Sequence, residues 1–71
     1  MTPNEIVRVQ SYLRKVFGTK TLSVRARAKK ADSAEVYVGD EFIGVLFKDE
    51  EEGETSYQFQ MAILEMDLSE A

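Results

Sequence analysis

The stretch AEVYVGDEFIGVLF, residues 34–47, is the clearest indication of the fold in this sequence. Apolar residues alternate with other residues before Gly39, and a second run rich in strand-forming residues follows Asp40. Alternation with a period of two is typical of a half-buried strand, and a Gly-Asp pair between two such runs is typical of a two-residue hairpin turn. The stretch therefore predicts an antiparallel hairpin with strands over residues 33–39 and 41–48.

One further strand is predicted on each side of this hairpin. Residues 20–29 alternate between apolar or small residues and mainly basic ones, and residues 30–32 then form a short connection. Residues 55–67 also alternate, but the apolar phase inverts at Ile63 and Leu64. Such an inversion suggests a bulge or a strand that changes layer. A helix over residues 61–68 is the alternative, which a short apolar run leaves open.

A helix is predicted to precede the sheet. Thr2 and Glu5 have the spacing of a capping box around Pro3, and Gly18 supplies a left-handed stop. The helix therefore spans residues 3–17. At about 100° per residue, one of its sides collects the apolar residues Ile6, Val9, Leu13, Val16 and Phe17.

The fold class that follows is α+β. We expect a single domain of residues 1–71, with the N-terminal helix packed on a four-stranded antiparallel meander sheet. The predicted turns place Val36 opposite Ile43, and they place Arg25 opposite Tyr37. The helix should then cover the sheet face that collects Leu22, Val24, Ala26, Ala34, Val36, Ile43, Val45 and Phe47.

The second face of the predicted sheet is too apolar for open solvent, and so is the end of the chain. One helix covers only one side of a four-stranded sheet, so a monomer would expose a contiguous apolar patch, which soluble proteins tend to reserve for contacts. We therefore expect a protein-interaction module, either a homodimer or a binder of another protein. The predicted interface consists of Tyr37, Phe42, Leu46, Leu64, Met66 and Leu68.

A basic strand with an aromatic neighbour supports an alternative function. Sheet aromatics within a basic surround bind single-stranded nucleic acids by stacking on bases. The residues of this alternative site are Arg25, Arg27, Lys29, Lys30 and Tyr37. The acidic composition argues against this alternative. With a sequence pI near 4.7 the chain is negatively charged at neutral pH, which disfavours binding of the phosphate backbone.

Charge is divided between the two halves of the chain. Residues 1–30 carry eight basic residues and one acid, a sum of +7, whereas residues 31–71 carry one basic residue and twelve acids, a sum of −11. Such asymmetry hints at a charged partner. Pairing of the two halves within one small fold is the interpretation that we favour.

Residue types that most enzymes and metal sites use are missing. The chain has no Cys and no His, which removes disulfides, the usual zinc ligands and the ordinary general base at neutral pH. The acidic run 49–54 does not fit an EF-hand loop, because Gly53 is its fifth residue rather than its sixth. We therefore expect no enzyme, no metal and no cofactor.

The expected compartment is the cytoplasm. The N-terminus begins with polar residues and leads directly into the helix, so we expect no signal peptide. The apolar run 42–47 is far shorter than the roughly 20 residues that a membrane helix needs. The absence of cysteine also suits a reducing compartment.

Three stretches of the sequence resemble a known family. They are residues 8–14, RVQSYLR, residues 32–46, DSAEVYVGDEFIGVL, and residues 56–64, SYQFQMAIL. Together they look like a family of short alphaproteobacterial proteins catalogued as domain of unknown function 3126. The resemblance implies a bacterial cytoplasmic protein that stands as a single domain. It brings no catalytic or binding residues to carry over.

Overall fold

A computed structural model describes residues 1–68 as a long N-terminal helix on a four-stranded antiparallel sheet, followed by a short C-terminal helix. The strands follow one another in the order β1-β2-β3-β4, so the predicted α+β fold and its meander are confirmed. The elements are α1 (Pro3–Phe17), β1 (Leu22–Arg27), β2 (Lys30–Val38), β3 (Glu41–Glu51), β4 (Glu54–Gln60) and α2 (Glu65–Leu68).

The bounds of α1 are those that its capping residues predict. The Thr2 hydroxyl accepts from the Glu5 N–H over 3.1 Å, and the Glu5 carboxylate accepts from the Thr2 N–H over 2.8 Å, which completes the capping box. At the other end, Gly18 adopts a left-handed conformation with φ of 65°, and its N–H donates to the Arg14 carbonyl.

Two of the three turns join the strands as tight hairpins with left-handed residues. Gly39 has φ of 61°, which suits the first central position of a II′ turn. The acidic run 49–54 is the end of β3, a turn and the start of β4, where Glu52 and Gly53 have φ of 52° and 82°. Two consecutive positive φ values are typical of a I′ turn, which matches the twist of the strands.

The connection between β1 and β2 lies earlier than predicted. The turn occupies residues 28–29, and the predicted connection 30–32 is instead the start of β2. Val24 therefore pairs with Val36 rather than with Val38. Because this displacement is two residues, each side chain of β1 keeps its predicted face.

A bulge in β3 makes the second predicted register wrong. Tyr37 pairs with Phe42 as expected, but Val36 pairs with Gly44, so Ile43 is an extra residue on β3. This shift of one residue places each later side chain of β3 on the face of the sheet opposite to the predicted one. Leu46 consequently lies on the face under α1, where the sequence had predicted Val45 and Phe47.

The core lies between α1 and the inner face of the sheet. Its buried apolar residues are Leu13, Leu22, Val24, Ala34, Val36 and Leu46. Gly44 is required at the bulge, because a Cβ there would lie 2.5 Å from the Gln60 carbonyl oxygen and 2.7 Å from Cε1 of Phe59. The missing side chain therefore lets Phe59 of β4 pack over β3.

The fourth strand is shorter than predicted. It ends at Gln60, residues 61–64 have no regular structure, and α2 is a short helix from Glu65 to Leu68. The prediction of a strand to residue 67 is therefore wrong. The alternative, a helix over residues 61–68, is right only for residues 65–68. The inversion of the apolar phase at Ile63 marks the place where the chain has left the sheet.

Candidate interaction surfaces

An exposed apolar area lies where β3 meets the end of the chain. Every residue from Met61 to Leu68 is exposed. Ile63 is 64% exposed, and Phe42 on the neighbouring strand is 50% exposed. We define the C-terminal apolar surface as the exposed large side chains in this area, namely Phe42, Phe47, Met61, Ile63, Leu64, Met66 and Leu68.

A groove of about 570 Å³ runs through this surface. Phe42 and Phe47 line it from the sheet, and Leu64 lines it from the C-terminal segment. Among the residues that line the groove within the described part of the chain, Glu41 and Asp67 are acidic and none is basic. The groove is therefore apolar at its centre and negative at its margin.

The predicted interface residues do not all reach this surface. Phe42, Leu64, Met66 and Leu68 belong to it. Leu46 does not, because it is only 2% exposed and lies in the core on the other face of the sheet. That part of the prediction is wrong, and the bulge at Ile43 is the physical reason.

Tyr37 adjoins the surface but is half-buried. Its ring meets the ring of Phe42 edge to face, with centroids 5.6 Å apart. Its hydroxyl donates to the Glu35 carboxylate over 3.0 Å, and this bond raises the pKa of Tyr37 above its usual value. The guanidinium of Arg25 lies 4.0 Å from the ring centroid. The ring thus already has partners on one face and at its edge.

The basic residues of the alternative site are spread along one end of the sheet. Arg25 pairs with Glu35 rather than with Tyr37, so its contact with the ring is diagonal across the strands. Arg27 pairs with Lys30 and donates to the buried Ser33 hydroxyl over 3.5 Å. Lys29 lies in the turn between β1 and β2 and is exposed, as is Lys30 at the start of β2. The two arginines are therefore engaged within the chain.

The two edges of the sheet differ in how their main-chain groups are satisfied. The Gly39 N–H donates to the Thr21 carbonyl, so by alternation Leu22 and Val24 direct their main-chain groups away from β2. Two side chains of α1 meet those groups. Arg14 Nε donates to the Leu22 carbonyl over 2.7 Å, and the Val24 N–H donates to Gln10 Oε1 over 3.0 Å.

No such cover lies along β4 within residues 1–68, because β4 pairs with β3 alone and no side chain bonds to its outer groups. Sequence reasoning missed this difference. Gln10 and Arg14 are four residues apart on α1, which is the only signal that they act together.

A second groove, of about 480 Å³, separates α1 from β4. It exists because α1 packs mainly on β1, so the inner face of β4 is only partly covered. Its lining includes Arg8 and Tyr12 from α1, and Tyr57 and Phe59 from β4. Tyr12 is 65% exposed, so this groove is open to solvent on the helix side, and most of its lining is apolar or aromatic.

A polar cluster ties the beginning of α1 to β3 and β4. The Glu5 carboxylate forms an ion pair with Lys48 and accepts from the Tyr57 hydroxyl over 3.2 Å. The bond from Lys48, with further bonds from Thr2 and Tyr57, lowers the pKa of Glu5 from its usual 4.5 to about 2. Lys48 also lies 3.6 Å from Glu50, so the basic half of the chain contributes little to this cluster.

Residues 1–68 offer neither a metal-binding cluster nor a membrane-spanning helix. Within that range no three Asp or Glu side chains are grouped so that they could hold a metal ion. None of the helices in the same range has the length and apolar character needed to cross a bilayer.

Comparison with known proteins gives one match. No curated protein and no solved structure matches the chain significantly. A family model does match, over residues 5–67, and its description is "Protein of unknown function (DUF3126)". This range includes most of α1, the whole sheet and most of the C-terminal segment, so the resemblance to domain of unknown function 3126 is confirmed. The chain therefore belongs to the family of proteins of unknown function DUF3126.

Proposed function

We propose that this protein is a non-enzymatic interaction module whose C-terminal apolar surface binds another polypeptide. The observation that carries the proposal is the run of exposed apolar residues after Gln60, of which Met61 and Leu64 line one groove together with Phe42 and Phe47. Burial of a side chain such as Phe or Leu is worth roughly 1.5–3 kcal/mol, so a few of these residues suffice for a specific contact. An exposed apolar patch of this kind is typical of a binding site.

The charges around the groove indicate the chemistry of the partner. Glu41 and Asp67 line the groove, and Glu65 lies two residues before Asp67 at the start of α2. A partner that brings apolar side chains flanked by Lys or Arg would complement this margin. A second copy placed on the same surface by a two-fold axis would bring the same acids together, which costs binding energy.

Binding of single-stranded nucleic acid is less well supported. Base stacking needs a free aromatic face beside free cations. The Tyr37 ring already has Arg25 over one face and Phe42 at its edge, and Arg27 is directed to Ser33. Protein binding in the cytoplasm of a bacterium is the setting that we propose, following the compartment and source expected from the sequence.

The proposal can be tested by photocrosslinking inside the cells that make the protein. A benzophenone amino acid replaces Leu64 in the full chain, and the same amino acid at the 59%-exposed Val7 of α1 is the matched control. We expect one discrete heavier product from position 64 and none from position 7. The product should disappear when Phe42→Glu is added.

Three outcomes would contradict the proposal. They are no product from position 64, a product that Phe42→Glu does not affect, and a product with twice the mass of the chain. The last would mean that the surface meets a second copy. A ¹H–¹⁵N spectrum of the Phe42→Glu variant checks that it remains folded.

A further inference from the structure

The open edge of β4 leads to an inference beyond the proposed function. Exposed strand edges invite pairing with other chains, and proteins usually protect them with Lys, Pro, a bulge or a covering element. β1 has such protection, because Gln10 and Arg14 of α1 bond to its outer groups and its register is interrupted near Arg27. β4, with the sequence ETSYQFQ, has neither Lys nor Pro, and its pairing with β3 is continuous.

The turn before β4 determines which main-chain groups face outward. In a two-residue hairpin turn the flanking residues, Glu51 and Glu54, form a hydrogen-bonded pair. Alternation then directs the N–H and C=O groups of Thr55, Tyr57 and Phe59 away from β3. The side chains of these three residues lie on the sheet face under α1. Three consecutive sites for strand addition therefore border the groove between α1 and β4.

The sequence of β4 is complementary to itself when two copies run antiparallel. With a two-fold axis at Tyr57, Thr55 lies opposite Phe59 of the second copy and Ser56 lies opposite Gln58. Glu54 then lies opposite Gln60, so no like charges meet along the strand. The three outward residues of each copy would supply about six main-chain hydrogen bonds.

The charge split supports the same arrangement. The Phe17 and Phe59 rings lie 6.2 Å apart, which places the last turn of α1, with Lys15, near the Gln60 end of β4, whereas the Arg14 side chain is directed to the outer edge of β1. Antiparallel pairing brings the acidic β3–β4 turn of a second copy to that end. Each acidic turn would therefore approach the basic end of the other copy's helix, and the two grooves would become continuous across the axis.

We infer that two copies of this chain pair along β4, residues 54–60, to form one eight-stranded antiparallel sheet. The contact leaves the C-terminal apolar surface free, because the segment after Gln60 runs beside Phe42 and Ile43 of β3. The dimer would thus present two copies of the proposed binding surface. This contact stands independently of the proposed function, since among residues 54–60 only Gln60 also lines the groove of the C-terminal apolar surface.

Sedimentation equilibrium of the full chain across the micromolar range tests the inference. We expect the wild type to have twice the 8.1 kDa mass of one chain. Thr55→Pro removes one outward N–H and blocks a second strand without removing a bond to β3, so this variant should be a monomer. Ser56→Lys with Gln58→Lys places like charges opposite each other across the axis and should also give a monomer.

A charge-swapped variant is the matched control. Ser56→Lys with Gln58→Glu alters the same exposed positions but sets opposite charges across the axis, so it should remain a dimer. Phe42→Glu should remain a dimer as well. A monomeric wild type would overturn the inference, and so would a dimer that survives both lysine substitutions. If Thr55→Pro fails to fold, as judged by circular dichroism, the two charge variants alone decide the matter.

Discussion

Arg14 of α1 donates a hydrogen bond from Nε to the main-chain oxygen of Leu22 in β1, over 2.7 Å. One turn earlier on the same helix, Gln10 accepts from the N–H of Val24 over 3.0 Å. These two bonds satisfy the outer edge of β1, and β4 has no equivalent in the described residues 1–68. The sheet therefore has one closed edge and one open edge, and the helix that closes the first leaves a groove beside the second.

The closed edge can be opened by substitution. Gln10→Met with Arg14→Met keeps the length and the apolar stems of both side chains but removes their bonds to β1. The Val24 amide should then exchange with solvent at least tenfold faster, and stability should fall by about 0.5–1.5 kcal/mol for each lost bond. Hydrogen exchange followed by NMR measures both effects. Arg8→Met on the exposed part of α1 is the control, and equal Val24 exchange in all three proteins would contradict the role assigned to Gln10 and Arg14.

The bulge in β3 depends on Gly44. Gly44→Ala places a methyl group against the Gln60 carbonyl and the Phe59 ring, so strand β4 must shift. We expect destabilisation of about 1–3 kcal/mol, measured by urea denaturation. Gly53→Asn changes a glycine whose Cβ meets nothing within 4 Å and whose left-handed conformation Asn tolerates, so it should cost much less. Equal stabilities of the two variants would show that Phe59 does not pack over Gly44.

Acid stability should depend on Glu5. Its pKa is about 2 in the folded chain against an ordinary 4.5, so its contribution to stability is complete above about pH 4.5. That contribution is lost as the pH falls from about 4.5 towards 2, because the unfolded state then binds a proton that the folded state does not, and the loss is complete once the folded state binds it as well. We expect the Tm of the wild type to fall more steeply across this range than the Tm of Glu5→Gln.

The matched control for this prediction is Asp32→Asn, which removes an exposed acid near the start of β2 and outside both proposed binding surfaces. Its Tm should follow the wild-type pH dependence. If the Glu5→Gln and wild-type curves ran parallel from about pH 6 to about pH 2, the ion pair with Lys48 would not be the source of acid sensitivity.

The basic strand should not bind single-stranded nucleic acid. Fluorescence anisotropy with a labelled oligonucleotide at low salt should detect no binding by the wild type, because Arg25 and Arg27 already contact Tyr37 and Ser33. Arg25→Ala should instead cost about 0.5–1 kcal/mol of stability through loss of the contact with the Tyr37 ring. Salt-sensitive binding that Arg25→Ala with Arg27→Ala removes would restore the nucleic-acid alternative.

Local chemistry made much of this fold predictable. Thr2 and Gly18 bound α1 through capping bonds between near neighbours, and Gly39 sets the central hairpin through its own conformation. The bulge was not predictable, because Ile43 and Val45 fit the inner face as well as Gly44 and Leu46 do. Contact between Gly44 and Phe59, which are fifteen positions apart in the sequence, selects the register.

The candidate surfaces were predictable to a similar degree. Because one helix can cover only one face of the sheet, Phe42 and Leu64 were expected to be exposed. Both side chains are exposed. Leu46 was misplaced because the single-residue bulge reverses the remainder of β3. The two edges of the sheet differ because the side chains of Gln10 and Arg14 bond to main-chain groups of β1 and no side chain in residues 1–68 does so at β4. The periodicity of the sequence does not predict these tertiary contacts.

Pairing of two copies along β4 is tested most directly by hydrogen exchange at single amides as the protein is diluted. The outward N–H groups of Tyr57 and Phe59 are the probes, and the Val24 amide, held by Gln10 within one chain, is the internal reference. We predict that at high concentration the two probes exchange about as slowly as Val24, and that dilution speeds their exchange while Val24 is unaffected. Fast exchange of Tyr57 and Phe59 at every concentration, beside a protected Val24, would contradict the paired sheet.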